Sequence, residues 1–160
     1  MYKIAIVGAA TIRGKELNEA FAESTFAGAD FSLMDDESQL GQLEAVGDEV
    51  TFIQRIEPSA FDGIDFAFFA GSEAVTRRHW KAAQKAGASL VDLSYVLEGE
   101  PGVLVRAPWL NEARNSEVNL NTAAVVPAHP VSVALALLMA RLQSLGAVSS
   151  ASATVLEPAS

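Results

Sequence analysis

The sequence predicts an α/β chain built on a parallel, doubly wound sheet, and three observations predict it. Short apolar runs rich in β-branched residues alternate with helical patterns along the whole chain. Two of these runs, at Ile64–Ala70 and Ala88–Leu93, are apolar at most positions, as expected of strands buried on both faces. The stretch Tyr2–Leu17, YKIAIVGAATIRGKEL, passes from strand through a glycine turn into a helix. Such a turn brings backbone N–H groups and a helix N-terminus up to a pyrophosphate. The class is therefore α/β, a Rossmann-type doubly wound parallel sheet of about six or seven strands.

In order along the chain, Ile4–Val7 is the first strand, and Gly8-Ala9-Ala10 turns towards a helix with Leu17, Ala20 and Phe21 on one face. Of a three-glycine fingerprint, Gly8 and Gly14 stand at the ends and Thr11 holds the middle. Thr25–Gly28 is a loop, and Phe31–Met34 a short strand followed by Asp35 and Asp36. A carboxylate at the tip of the second strand binds a ribose 2′-hydroxyl and repels a 2′-phosphate, so this position favours NAD over NADP; a polar loop rich in acid for solubility is the plainer reading. Leu40–Val46 reads as a weak amphipathic or irregular stretch, Glu49–Ile53 as a strand, and Pro58–Phe61 as one turn of helix.

Gly71-Ser72 follows the buried strand Ile64–Ala70 at its C-terminal end, where open α/β sheets bind ligands. Glu73–Ala86 is helical, with Val75, Trp80 and Ala83 as core contacts, and Gly87 ends it. Ser94-Tyr95 closes the strand Ala88–Leu93. Val103–Ala107 is extended, Pro108–Ser116 a loop or short helix, and Leu120–Val126 a strand. Pro130 opens an apolar helix, Val131–Leu145, which Gly146 stops; apolar on nearly every side, it calls for burial or for cover by another domain or subunit. Ala147–Leu156 reads as a new strand. The expected division is a nucleotide-binding domain over 1–146, with 147–160 as the start of a further, truncated substrate or dimerisation domain.

Composition narrows the function. Half of the 160 residues are hydrophobic, enough for a sizeable core. The net charge of −9 repels nucleic acid and anionic membranes. No apolar run reaches membrane-spanning length, since Arg141 and Gln143 interrupt the longest. The chain opens on a strand without a signal-peptide profile, and it has no cysteine, which fits a cytoplasmic protein and excludes thiolate chemistry. No histidine or carboxylate pair has metal-ligand spacing, so no metal is expected. Arg77, Arg78, His79 and Lys81 read as a solvated helix face.

Taken together, IAIVGAATIRGKEL (Ile4–Leu17), FDGIDFAFFAGS (Phe61–Ser72), KAAQKAGASLVDLS (Lys81–Ser94) and VVPAHP (Val125–Pro130) resemble the N-terminal NAD(P)-binding domain of the aspartate-semialdehyde dehydrogenase family. Pro101, Pro108 and Asn111 extend the likeness, whose specificity lies in the order and spacing of the blocks. The resemblance implies an oxidoreductase of amino-acid biosynthesis that reduces an acyl phosphate to a semialdehyde with NADPH, through a cysteine thioester. It also implies dimers or tetramers of the full-length protein. Aligning Pro127 with the family's proline puts His129 at the cysteine position and Ala128 at the neighbouring asparagine. Glu37 stands about where the family places an arginine for the 2′-phosphate, while Ser38 matches; Glu98 replaces a substrate-phosphate arginine. Leu93 and Trp109 depart as well.

His129 therefore has two readings. An imidazole at a helix N-terminus, held neutral there, can serve as acid, base or nucleophile; or it caps the helix, the reading favoured here. No catalytic residue is assigned. Expected nucleotide contacts are Gly8, Ala10, Thr11, Ile12, Asp35, Ser38, Gly71 and Ser72. The function implied is the NAD(P)-binding domain of a semialdehyde dehydrogenase-like protein without the standard thioester step. A non-catalytic relative that uses the fold for assembly or ligand sensing is the alternative.

Overall fold

The computed structural model describes residues 1–36, 43–46, 49–114 and 122–156. Strand β1 (Lys3–Val7) lies between β2 (Asp30–Asp35) and β6 (Phe66–Phe69), parallel to both. The remaining strands of this sheet are β5 (Gln54–Arg55), β7 (Ser89–Asp92), β8 (Val103–Arg106) and β9 (Ala124–Pro127). Seven strands run in the order β5-β2-β1-β6-β7-β9-β8. The chain leaves β1 for β2 on one side and later returns to β6 on the other, so the order reverses between β1 and β6. That reversal opens a crevice at the carboxyl ends of these strands.

β1 shows why the sequence folds this way. It is buried along Ile4–Val7, and its side chains alternate between two cores. Ile4 and Ile6 pack with Leu33, Ile53 and Phe21 of α1 (Ile12–Ala22). Ala5 and Val7 pack with Met34, Phe69 and with Trp80 and Ala83 of α2 (Glu73–Lys85). A run apolar at every position thus has both faces covered.

The chain divides into two compact units, Met1–Val105 with Leu120–Pro127, and Arg106–Asn119 with Ala128–Ser160. In the second unit α3 (Pro108–Arg114) packs against α4 (Pro130–Leu145).

Four expectations change. Leu43–Val46 is a strand, β3, and forms a two-stranded antiparallel sheet with β4 (Glu49–Phe52), separate from the main sheet. The four-residue LEAV pattern is too short to separate a strand from an irregular stretch. Gln54–Arg55 is an edge strand that the sequence reading did not contain. Ala147–Leu156 enters neither sheet and is exposed apart from a partly buried Val148, because alternation alone makes no strand without a ladder to join. Of the two expectations for α4, burial or cover by another domain or subunit, the described residues do not supply the first: Leu138, Leu142 and Leu145 are 55%, 41% and 74% exposed. Among the described residues no helix is long and apolar enough to cross a membrane.

Candidate nucleotide-binding site

The loop between β1 and α1 sits at the crevice. Gly8 has φ +88°, a conformation that glycine adopts freely. A Cβ there would lie 2.3 Å from the Cα and N of Gly71, which follows β6. Gly14 is as tight: its Cβ would meet the Gly8 carbonyl oxygen at 2.3 Å. The two strand ends and the first turn of α1 therefore close on one another through bare backbone.

Thr11 is the N-cap of α1, its hydroxyl oxygen accepting from Gly14 N–H at 3.0 Å. The same hydroxyl lies 2.8 Å from the Gly8 carbonyl and 3.1 Å from the Ala70 carbonyl, to which it can donate. The Gly8 and Ala9 amides donate to Met34 O at 2.8 and 3.1 Å. The Ala10 amide donates to Asp35 Oδ2 at 2.9 Å. The amides of Ile12 and Arg13, at the first two positions of α1, are the ones an α-helix does not use internally. Ile12 is 79% exposed.

Two cavities open here. One, of about 220 Å³, is lined by Ala10, Thr11, Asp35, Asp36, Gly71, Ser72 and Val75. The other, of about 440 Å³, shares Asp35, Asp36 and Val75 with it and adds Arg55, Ile56, Arg78 and His79. That volume falls within the range of small-molecule sites, about 300–1,000 Å³. Ser72 caps α2, its hydroxyl accepting from Val75 N–H at 3.4 Å. Burial, then the charge of Arg78, pull the His79 imidazole below its ordinary pKa.

Of the residues expected to meet a nucleotide, Ala10, Thr11, Asp35, Gly71 and Ser72 line a single cavity. Gly8 is not among the lining residues but lies against Gly71, which is. Ser38, like Glu37, lies outside the described residues. Asp35 is only 6% exposed and both its oxygens accept backbone N–H groups, Oδ2 from Ala10 and Oδ1 from Asp36 at 2.9 Å. The carboxylate thus holds the loop of its own chain. His129 belongs to the second unit. It occupies the N-cap position of α4, but its side chain makes no capping hydrogen bond; its carbonyl accepts from Val133 N–H at 3.0 Å. The cap role expected for its imidazole is not seen, since an N-cap side chain must present an acceptor to the second or third amide of the helix.

The sequence reading missed Arg55, Arg78 and His79. A signal existed for two of them. Val75, Arg78 and His79 are spaced i, i+3, i+4 and so share one helix face, which Val75 ties to the crevice. Also missed was a buried network behind Ser72. Asp92, fully buried, accepts from Ser94 N–H at 2.8 Å, Ser94 Oγ at 2.6 Å and Leu97 N–H at 2.9 Å. Ser94 Oγ also lies 3.0 Å from Thr76 Oγ1, on α2.

The family model for "Semialdehyde dehydrogenase, NAD binding domain" matches residues 3–126. The chain belongs to that family. An aspartate-semialdehyde dehydrogenase of Prochlorococcus marinus is 24% identical over 88% of this chain and 40% of its own length. A USG-1 protein homolog of Azotobacter vinelandii is 31% identical over 80% of this chain and 42% of its own length. In fold, the chain is similar to aspartate-semialdehyde dehydrogenase II of Vibrio cholerae, in a crystal structure described as a complex with ASA. The TM-score there is 0.76 at 16% identity, over 90% of this chain and 47% of that one. The chain spans under half the length of each of these proteins.

Proposed function

We propose that this chain is a nicotinamide-dinucleotide-binding domain that does not itself perform the thioester chemistry of its family. The observation that carries the binding is the closed contact of Gly8 with Gly71 beneath the capped N-terminus of α1. It leaves the Ile12 and Arg13 amides and the positive end of the helix dipole for a pyrophosphate. The residues fit such a ligand: Gly8 and Gly71 present bare backbone, Thr11 directs its hydroxyl to the loop's own backbone, and a cavity of about 440 Å³ adjoins it.

The absence of any cysteine in the sequence carries the second half. A bound dinucleotide supplies or accepts hydride at its nicotinamide; this chain's part is to hold and orient it. No thiolate of this chain can form an acyl thioester, and an imidazole at His129 is no chemical equivalent of one, because an acyl imidazole is hydrolytically labile.

Calorimetric titration with NAD and with NADP tests the binding, using Ile12→Pro as the control. Proline is tolerated at the first helical position, and Thr11, at φ −71° and ψ 159°, has the extended backbone that precedes proline well. The substitution deletes one outward N–H. We expect binding of at least one dinucleotide, weakened about tenfold in Ile12→Pro. Binding of neither by the folded protein refutes the reading. Reduction of NADP by this chain with aspartate semialdehyde and phosphate would refute the second half.

A further inference from the structure

We infer that Thr76, Ser94 and Asp92 form a positioning unit behind the crevice: they fix the first turn of α2, and with it the Ser72 wall that a dinucleotide meets. The inference rests on the nucleotide-binding reading above. β6 and β7 run parallel with Phe69 opposite Asp92, and Leu93 N–H donates to the Phe69 carbonyl at 2.9 Å. The carboxyl ends of the two strands are therefore level. Asp92 stands beside the strand that delivers Gly71 and Ser72 to the crevice. Ser72 and Val75, at the start of α2, line the cavities, while Thr76, the next residue, is fully buried and lies 3.0 Å from the Ser94 hydroxyl. One turn of helix thus has a side towards the ligand and an anchor towards the end of β7.

The buried acid sets the direction of each hydrogen bond in this unit. Both Asp92 oxygens accept backbone N–H groups, Oδ1 from Ser94 and Oδ2 from Leu97, and Oδ1 takes the Ser94 hydroxyl as well, at 2.6 Å. The single proton of that hydroxyl is spent there, so the bond between the two hydroxyls is donated by Thr76. The Ser72 carbonyl, 3.4 Å from Thr76 Oγ1, is the poorer acceptor. A chain of donors therefore runs from α2 through Ser94 into the carboxylate, and the charge-assisted bond at its end strengthens the whole. The backbone at this end is over-determined too. Tyr95 lies between the two amides that Asp92 holds and has φ +65°, a left-handed conformation that is costly for a bulky side chain. Strain of this kind persists where the surroundings impose it, and it clusters at ligand sites. Thr76 and Asp92 are fully buried, so they touch no ligand themselves and act through the place where α2 begins.

The test is calorimetric titration of the 160-residue chain with NAD and with NADP, repeated on Thr76→Val, Thr76→Ser and Ser94→Ala. Valine keeps the shape of threonine without its donor, and serine keeps the donor. Circular dichroism verifies that each variant is folded under the titration conditions, so that a loss of stability alone does not alter the binding. We expect Thr76→Val and Ser94→Ala to weaken whichever dinucleotide the parent binds by about fivefold, the change that one lost hydrogen bond gives. Thr76→Ser should bind as the parent does. Parent affinity in Thr76→Val or in Ser94→Ala overturns the inference, because the network then serves stability alone, and it leaves the nucleotide reading standing. Weakening that Thr76→Ser shares overturns it as well, since the donor is then not what matters. A parent chain that binds neither dinucleotide overturns the reading beneath and the inference together.

Discussion

Replacing Gly8 by alanine tests whether the crevice is closed by backbone contact, and the other glycines of the chain supply its controls. Two costs combine at Gly8. A side chain at φ +88° costs about 1–2 kcal/mol. A Cβ placed 2.3 Å from Gly71 Cα meets backbone of a buried strand end and forces it to shift, adding about 1–3 kcal/mol. Gly87, at φ +93° with open space around its Cβ, isolates the first cost. Gly14 has only the second, against the Gly8 carbonyl, offset by the better helix propensity of alanine inside α1. Gly71, whose Cβ would sit 3.3 Å from Gly8 Cα, should tolerate alanine with the smallest loss. Urea unfolding reads all four. With a slope of about 2 kcal/mol per molar, Gly8→Ala should lower the midpoint by about 1–2.5 M and Gly87→Ala by about 0.5–1 M. Equal midpoints for Gly8→Ala and Gly87→Ala would refute the closed contact, because conformational strain would then account for the whole effect.

Two further outcomes follow from groups behind and beside the cavity. Asp92→Ala strands the Ser94 and Leu97 amides in a buried site and should cost about 3 kcal/mol or more in urea unfolding; Asp92→Asn should recover only part, since its amide group opposes donors. For His79, the folded pKa is lowered by burial and then by Arg78, so the unfolded chain takes up the proton first as pH falls. Stability is therefore lost as pH drops below about 6.5, the value of an unperturbed histidine, until the lowered folded pKa is passed. Thermal melts of His79→Gln between pH 7.5 and 5.5 should show a smaller acid-side fall than the parent; an identical fall would exclude a role for this imidazole.

Much of the fold was legible because it rests on local pattern. The Ile4–Val7 run and the glycines at 8, 14 and 71 announce themselves in sequence, since each answers to spacing or to backbone geometry. What was not legible depends on partners distant in sequence. Asp35 could face a ribose or its own loop, and the choice is made by an amide 25 positions away, at Ala10. Arg55 escaped notice because a two-residue strand has no periodicity, and its place is set by pairing with β2. Helix α4 read as buried or covered from outside because it is apolar on nearly every side, and such a pattern does not choose between the two; among the described residues nothing covers Leu138, Leu142 and Leu145 fully.

Thr11 shows why a broken fingerprint is weaker evidence than a broken geometry. The first glycine of the motif makes the tight turn and the middle one lets the backbone approach a pyrophosphate. Threonine at this position keeps the turn by a different route: its hydroxyl caps α1 through Gly14 N–H and reaches the Gly8 and Ala70 carbonyls, tying the loop to the end of β6. A residue counted by identity as a loss is thus, by its hydrogen bonds, one of the groups that holds the crevice in shape. Asp35 reverses the lesson. Matching the position of a ribose-binding acid by count along the chain, it serves the loop with both oxygens. The acid at the end of β2 is therefore no ground for choosing between the two dinucleotides.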